Sequence, residues 1–130
     1  MTSEKEETDP TKILVVDDDA QILDLLCEVL SNNGYEVLSA SDGNVAQNYF
    51  VTFMPDIIVT DIVMPEIDGI EFMFNIRNIK PDVRIIAMSG GNRGHGEKYL
   101  GMSKKLGADV ILSKPFGIPE FIEHVKKLES

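Results

Sequence analysis

Short apolar runs alternate with longer stretches of helical period along almost the whole chain. Ile13–Val16 is wholly apolar and mostly β-branched, which fits a strand buried on both faces. Residues 20–31 place Ile22, Leu23, Leu26, Cys27, Val29 and Leu30 at helical spacing, and Asn33-Gly34 is a stop signal. Tyr35–Ser39 reads as a second strand. Residues 43–53 carry Val45, Ala46, Tyr49, Phe50 and Phe53 on one stripe, with Ser41 or Asp42 as N-cap. Ile57–Thr60 reads as a third strand. A helix from about Gly69 to Asn78 follows, with Phe72, Met73, Ile76 and Ile79 turned inward. Val83–Met88 is a fourth strand, a helix is expected near 96–106, and Asp109–Leu112 is a fifth strand. The last helix starts near Ile118, with Pro119 in its first turn and Ile118, Phe121, Ile122, Val125 and Leu128 on its apolar face. Five strand–helix units with buried strands predict an α/β domain, a parallel sheet with helices on both faces. Right-handed crossovers leave few topologies.

Residues 1–11 break this pattern. They are polar, have no apolar period, and read as a disordered acidic tail before one domain over 12–130. The tail holds four acids (Glu4, Glu6, Glu7, Asp9) against Lys5, so it carries three of the chain's ten excess negative charges. With 22 acidic and 12 basic residues in 130, the balance argues against a nucleic-acid partner, since phosphate backbones are held by clustered Lys and Arg. One cysteine, Cys27, excludes an internal disulfide framework and a multi-Cys zinc site, and its helical setting reads as packing. No apolar run approaches the roughly 18–20 residues of a membrane span, and nothing at the start resembles a signal peptide. The expectation is a cytoplasmic protein without a membrane partner.

Ligands of open α/β sheets bind outside the carboxyl ends of the strands. Strand one is followed by Asp17-Asp18-Asp19, strand three by Asp61, strand four by Ser89-Gly90 and strand five by Lys114-Pro115-Phe116. Three carboxylates brought together repel unless a cation offsets them. An all-oxygen set without His or Cys suits a hard ion such as Mg²⁺. Lys114 can hold a phosphoryl oxygen and Ser89 can donate to another. The set fits phosphoryl transfer, in which a carboxylate can be the covalent acceptor.

Ile13-Leu-Val-Val-Asp17-Asp18-Asp19, Val59-Thr-Asp61-Ile-Val-Met64-Pro65, Asp68-Gly69, Ser89-Gly90 and Lys114-Pro115-Phe116 together resemble the receiver domain of two-component response regulators. The resemblance covers about residues 12–128 and implies a flavodoxin-like (βα)5 fold with sheet order 2-1-3-4-5. It implies that Asp61 is the phosphoacceptor, taking a phosphoryl group from the phosphohistidine of a sensor histidine kinase or phosphotransfer protein. Asp17, Asp18, Asp61 and the backbone carbonyl of Val63 would hold Mg²⁺. Ser89 and Lys114 would bind phosphoryl oxygens, the Lys114–Pro115 bond would be cis, and Asp68-Gly69 would start the third helix. The domain would be a stand-alone switch rather than an enzyme, with slow loss of its own phosphate, acting on a downstream protein through altered binding.

Other residues are read more plainly. Asp19 is an N-cap for the first helix. The Gly-rich loop 90–96 has Gly91 and Gly96 at Walker A spacing, but Glu97 stands where that motif needs Lys, so it reads as a flexible loop with His95 exposed. His124 falls on the polar side of the last helix. Three positions depart from the family. Ile111 stands where an aromatic residue usually reports phosphorylation by rotating inward, Val63 is apolar two residues after Asp61, and Gly91 offers no side chain two residues after Ser89. Two other functions compete. A haloacid dehalogenase-type phosphatase would want Asp-x-Asp-x-Thr/Val, and Asp17-Asp18-Asp19-Ala20-Gln21 lacks the last residue in a chain short for that fold. A receiver-like interaction module that is never phosphorylated would not need Asp17, Asp18, Asp61, Ser89 and Lys114 all intact.

Overall fold

Side chains that point alternately to the two faces of each strand organise the molecule, as seen in a computed structural model that describes residues 10–62, 69–90 and 107–129. The elements are β1 Lys12–Val16, α1 Ala20–Asn32, β2 Glu36–Ala40, α2 Gly43–Phe53, β3 Ile57–Asp61, α3 Gly69–Ile79, β4 Arg84–Gly90, β5 Val110–Lys114 and α4 Ile118–Glu129. The helix expected near 96–106 and most of the expected tail lie outside the described residues.

All strand pairs are parallel and the order is β2-β1-β3-β4-β5. In β1, Ile13 and Val15 face one side and Leu14 and Val16 the other, and all four are fully buried. Ile57 and Val59 join the first side with Leu23, Leu26 and Leu30 of α1 and Phe121 and Val125 of α4. Ile58, Ile85 and Ala87 join the second with Ala46 and Phe50 of α2 and Phe72, Met73 and Ile76 of α3. Each fully buried Val, Leu, Ile, Phe or Met side chain among them contributes about 1.5–3 kcal/mol relative to exposure. Both faces of the central strands are therefore dry, which is why their sequences are nearly continuous apolar runs.

Caps set where the helices begin. Asp19 Oδ1 accepts from the backbone N–H of Gln21 at 3.0 Å and Ile22 at 3.3 Å. Asp42, not Ser41, caps α2, accepting from Val45 N–H at 2.9 Å. Such a cap is worth about 1 kcal/mol. Three positions differ from expectation. Tyr49, expected on the apolar stripe of α2, is 38% exposed. Ile79 is 46% exposed rather than inward: it sits at the margin of the Phe72–Met73–Ile76 stripe, in the last turn. Thr11, assigned to the tail, is held by the fold. Its carbonyl accepts from Glu36 N–H at 3.0 Å, and its hydroxyl donates to Glu129 at 3.2 Å.

Registers decide what meets at the carboxyl edge. Val16 lies beside Ala40 and Thr60, Asp61 beside Met88, and Gly90 beside Lys114. The residues that end β1, β3, β4 and β5 thus converge on one rim.

Candidate functional site

At that rim one ammonium group sits between two buried carboxylates. Lys114 Nζ donates to Asp17 Oδ2 at 2.7 Å and to Asp61 Oδ2 at 3.2 Å. Asp17 and Asp61 are buried, whereas Asp18 is exposed. Carboxylate oxygens of Asp17, Asp18 and Asp61 lie within 4.8 Å of one another. Ser89 is buried at the end of β4, one residue beyond Met88, the register partner of Asp61. Lys114 precedes a cis peptide bond to Pro115.

The backbone fixes these groups. Asp17 N–H donates to Ala40 carbonyl at 3.2 Å, extending the β1–β2 ladder by one residue. Asp17 Oδ1 accepts from Asp19 N–H at 2.9 Å, so the turn into α1 holds the carboxylate while Asp19 caps the helix. Burial pushes the Asp17 carboxyl above its usual range, and this outweighs the Lys114 hydrogen bond and the Asp19 N–H, which favour its charge. For Lys114, burial disfavours the ammonium. The Asp17 hydrogen bond and the charges of Asp61 and Asp17 together overcome that and raise it.

Three carboxylates and one ammonium leave a formal charge of −2 on a partly buried rim. Such a cluster attracts a divalent cation strongly. The donor set is all oxygen, with no His or Cys among its members, and one of its carboxylates faces solvent. That fits an ion which keeps several waters and takes one or two carboxylates. The residues present therefore fit Mg²⁺. An ion offsetting the carboxylates would also free Lys114 to meet an incoming anion.

The structure thus brings Asp17, Asp18, Asp61 and Lys114 together and places Ser89 on the adjoining strand. Val63, Met64, Pro65 and Asp68 lie outside the described residues, as do Gly91–Gly96 with His95. Cys27 is half-buried against the core, and burial pushes its thiol up, so it is a packing residue. His124 is half-buried rather than fully solvated. Ile111 is half-buried against the core side lined by α2 and α3. One buried polar residue went unremarked in the sequence: Thr60. The signal was available, since a hydroxyl interrupts the Ile57–Val59 run in a strand covered on both faces.

The fold and the rim define a class: a doubly wound domain with a carboxylate-rich site at the carboxyl edge of its sheet. The chain matches the response regulator receiver domain family over residues 13–126 and belongs to it. It is 37% identical over 117 residues to sporulation initiation phosphotransferase F of Bacillus subtilis, covering 89% of this chain and 91% of that protein. It is 39% identical over 117 residues to the alkaline phosphatase synthesis transcriptional regulatory protein PhoP of the same organism, covering 90% of this chain and 48% of that relative. The chain spans about half the length of the transcriptional regulator and of the similarly matched response regulator MprA. Among solved structures, a CheY-like receiver domain protein from Methanospirillum hungatei superposes with a TM-score of 0.86 at 27% identity, over 93% of this chain and 95% of that one. Membership in this family, with its sheet order, sets aside the dehalogenase-type phosphatase reading of Asp17–Asp19. No helix among the described residues is long and apolar enough to cross a membrane.

Proposed function

We propose that the domain over residues 12–130 is a phosphorylation-controlled switch in which Asp61 accepts a phosphoryl group from a sensor histidine kinase or phosphotransfer protein. The observation that carries the reading is the bridge of Lys114 between Asp17 and Asp61 beside the three-carboxylate cluster. A carboxylate oxygen of Asp61 attacks phosphorus. An O–P bond forms, the P–N bond to the donor imidazole breaks, and the imidazole keeps the electron pair. Asp17, Asp18, Asp61 and the Val63 carbonyl are the residues that would hold Mg²⁺, which when bound offsets charge on the phosphoryl oxygens. Lys114 donates to one phosphoryl oxygen and Ser89 to another. Neither group accepts the phosphoryl; both position it.

The new group brings roughly −1.5 to −2 charge to the rim. Lys114 then exchanges its carboxylate partners for phosphoryl oxygens. Phe116, two residues on, stacks on Phe121 of α4 with ring centroids 5.7 Å apart. Movement of Lys114 therefore pulls on α4, a route that does not need an aromatic residue at position 111. A downstream protein reads the altered surface, and slow hydrolysis of the acyl phosphate resets it.

Incubation with Mg²⁺ and acetyl phosphate, followed by intact-mass measurement, tests the reading. One added phosphoryl group is expected, absent in Asp61→Asn and absent when EDTA replaces Mg²⁺. Equal labelling of Asp61→Asn overturns it, and no labelling of the unaltered protein leaves the interaction-module alternative standing.

A further inference from the structure

Four polar side chains are fully or almost fully buried among the described residues: Asp17, Thr60, Asp61 and Ser89. Three of them have a place in the proposed chemistry. Thr60 does not, and a buried hydroxyl is an expensive choice where an isosteric Val would pack equally well. The neighbours show no packing need for it. By register Thr60 sits between Val16 of β1 and Ala87 of β4, and Ile58, the preceding residue on its face, is apolar.

What the hydroxyl does is specific. Thr60 Oγ1 donates to the main-chain carbonyl of Asp61 at 3.0 Å, within the buried interior. The same peptide unit is held at its other end, because Ile62 N–H donates to the Met88 carbonyl at 3.0 Å. The peptide plane leaving Asp61 is therefore fixed at both of its polar groups. Fixing that plane fixes the backbone torsion at Asp61, and with it the direction in which the carboxylate leaves the strand. It also sets the direction in which the chain leaves the strand at Ile62. A carboxylate acting as nucleophile must be held close to its productive geometry, and small misplacements cost rate steeply.

We propose that Thr60 is a positioning residue for phosphoryl transfer, acting through the Asp61 carbonyl without touching the phosphoryl group. This rests on Asp61 being the acceptor. Removal of the hydroxyl takes one hydrogen-bond donor from the buried Asp61 carbonyl and loosens that end of the peptide plane. The cost appears in the rate of label uptake more than in the integrity of the fold.

The test compares Thr60→Ser with Thr60→Ala, which remove the same methyl and differ only in the hydroxyl, with Thr60→Val as the isosteric control. Each full-length protein is labelled with acetyl phosphate at saturating Mg²⁺, and Mg²⁺ affinity is measured separately by calorimetry. Thr60→Ser should label within about twofold of the unaltered protein, and Thr60→Ala and Thr60→Val about tenfold more slowly. The slow variants should bind Mg²⁺ a few-fold more weakly and keep a cooperative unfolding transition. If Thr60→Ala labels as fast as Thr60→Ser, or if Thr60→Ser is as slow as Thr60→Ala, the positioning role is overturned while Asp61 keeps its own. If the unaltered protein takes no label, the reading of Asp61 fails and the positioning role falls with it. Should Thr60→Val not fold, the Ser and Ala pair decides alone.

Discussion

Lys114 Nζ lies 2.7 Å from Asp17 Oδ2, joining residues 97 apart in sequence across the buried end of β3. The contact ties β5 to β1 over Asp61, which accepts from the same ammonium at 3.2 Å. Replacing Lys114 by Met keeps most of the aliphatic stem and removes the cation that bridges these two buried carboxylates. Stability in EDTA should drop by about 3 kcal/mol, in the range for breaking a buried pair. Added Mg²⁺ should recover much of it, raising the melting temperature of Lys114→Met more than that of the unaltered protein. Thermal unfolding with and without Mg²⁺ checks this; equal Mg²⁺ responses in the two proteins would contradict it.

Asp17 has the opposite character. Burial is the largest influence on its carboxyl and raises it in the folded state. A raised folded value means that its contribution to stability is fullest below the unfolded value, near pH 4, and is lost as pH rises through the folded value. Without Mg²⁺, Asp17→Asn should match the unaltered protein near pH 4 and exceed it at pH 7 by on the order of 1 kcal/mol. The same variant should bind Mg²⁺ at least tenfold more weakly. Urea unfolding at pH 4, 5.5 and 7 gives the comparison, and a variant less stable at pH 7 would refute the argument.

Tyr35 offers a pH dependence far from the site. Its hydroxyl donates to Glu129 Oε1 at 2.5 Å, tying the start of β2 to the end of α4. Burial, the hydrogen bond to Glu129 and the charge of Glu129 all raise the phenol well above its ordinary value. The contribution is therefore complete below about pH 10 and fades as pH climbs toward the folded value. Tyr35→Phe should cost about 1–2 kcal/mol from pH 6 to 9. That cost should shrink above pH 10. Chemical denaturation across this range would show a constant difference followed by convergence; a difference already changing between pH 6 and 9 would point to another group.

Met54 follows the last residue of α2 with φ of 49°, a left-handed conformation that a side chain resists, and its N–H donates to the Phe50 carbonyl at 2.9 Å. Glycine is at ease there. Met54→Gly should stabilise the fold by about 0.5–1 kcal/mol without altering phosphoryl uptake. The midpoint of denaturant unfolding, at unchanged slope, is the check.

Much of this architecture could be read from residue order because the central strands are dry on both faces. Ile13–Val16 and Ile57–Val59 cannot satisfy any other setting, and the capping role of Asp19 follows from its place ahead of an apolar helical period. Strand ends were less legible. The ladder carries β4 to Gly90 and β5 to Lys114 through paired positions Ser89–Ser113 and Gly90–Lys114, where polarity hides the strand. The exposure of Ile79 is not legible, because helical period alone does not say how far the apolar stripe extends at a helix's last turn.

At the site, residue types and their order at strand ends pointed to Asp17, Asp18, Asp61, Ser89 and Lys114. Spacing could not give the direction of a four-carbon side chain. That Lys114 spans both Asp17 and Asp61 depends on register and on the buried rim, which only the folded chain supplies. The buried hydroxyl of Thr60 is legible from its place in a strand covered on both faces, but threonine is an ordinary strand former, and the bond to the next residue's carbonyl leaves no trace in sequence.

The central claim is that Asp61 itself carries the phosphoryl group, and reduction of the acyl phosphate tests it most directly. Protein labelled with Mg²⁺ and acetyl phosphate is treated with borohydride, which converts an aspartyl phosphate to homoserine, and is then digested and sequenced by mass spectrometry. The account predicts homoserine at position 61 and nowhere else, dependent on both Mg²⁺ and the phosphodonor. Reduction at Asp17 or Asp18 instead, or an intact aspartate at 61 in protein that has gained a phosphoryl group, would contradict it.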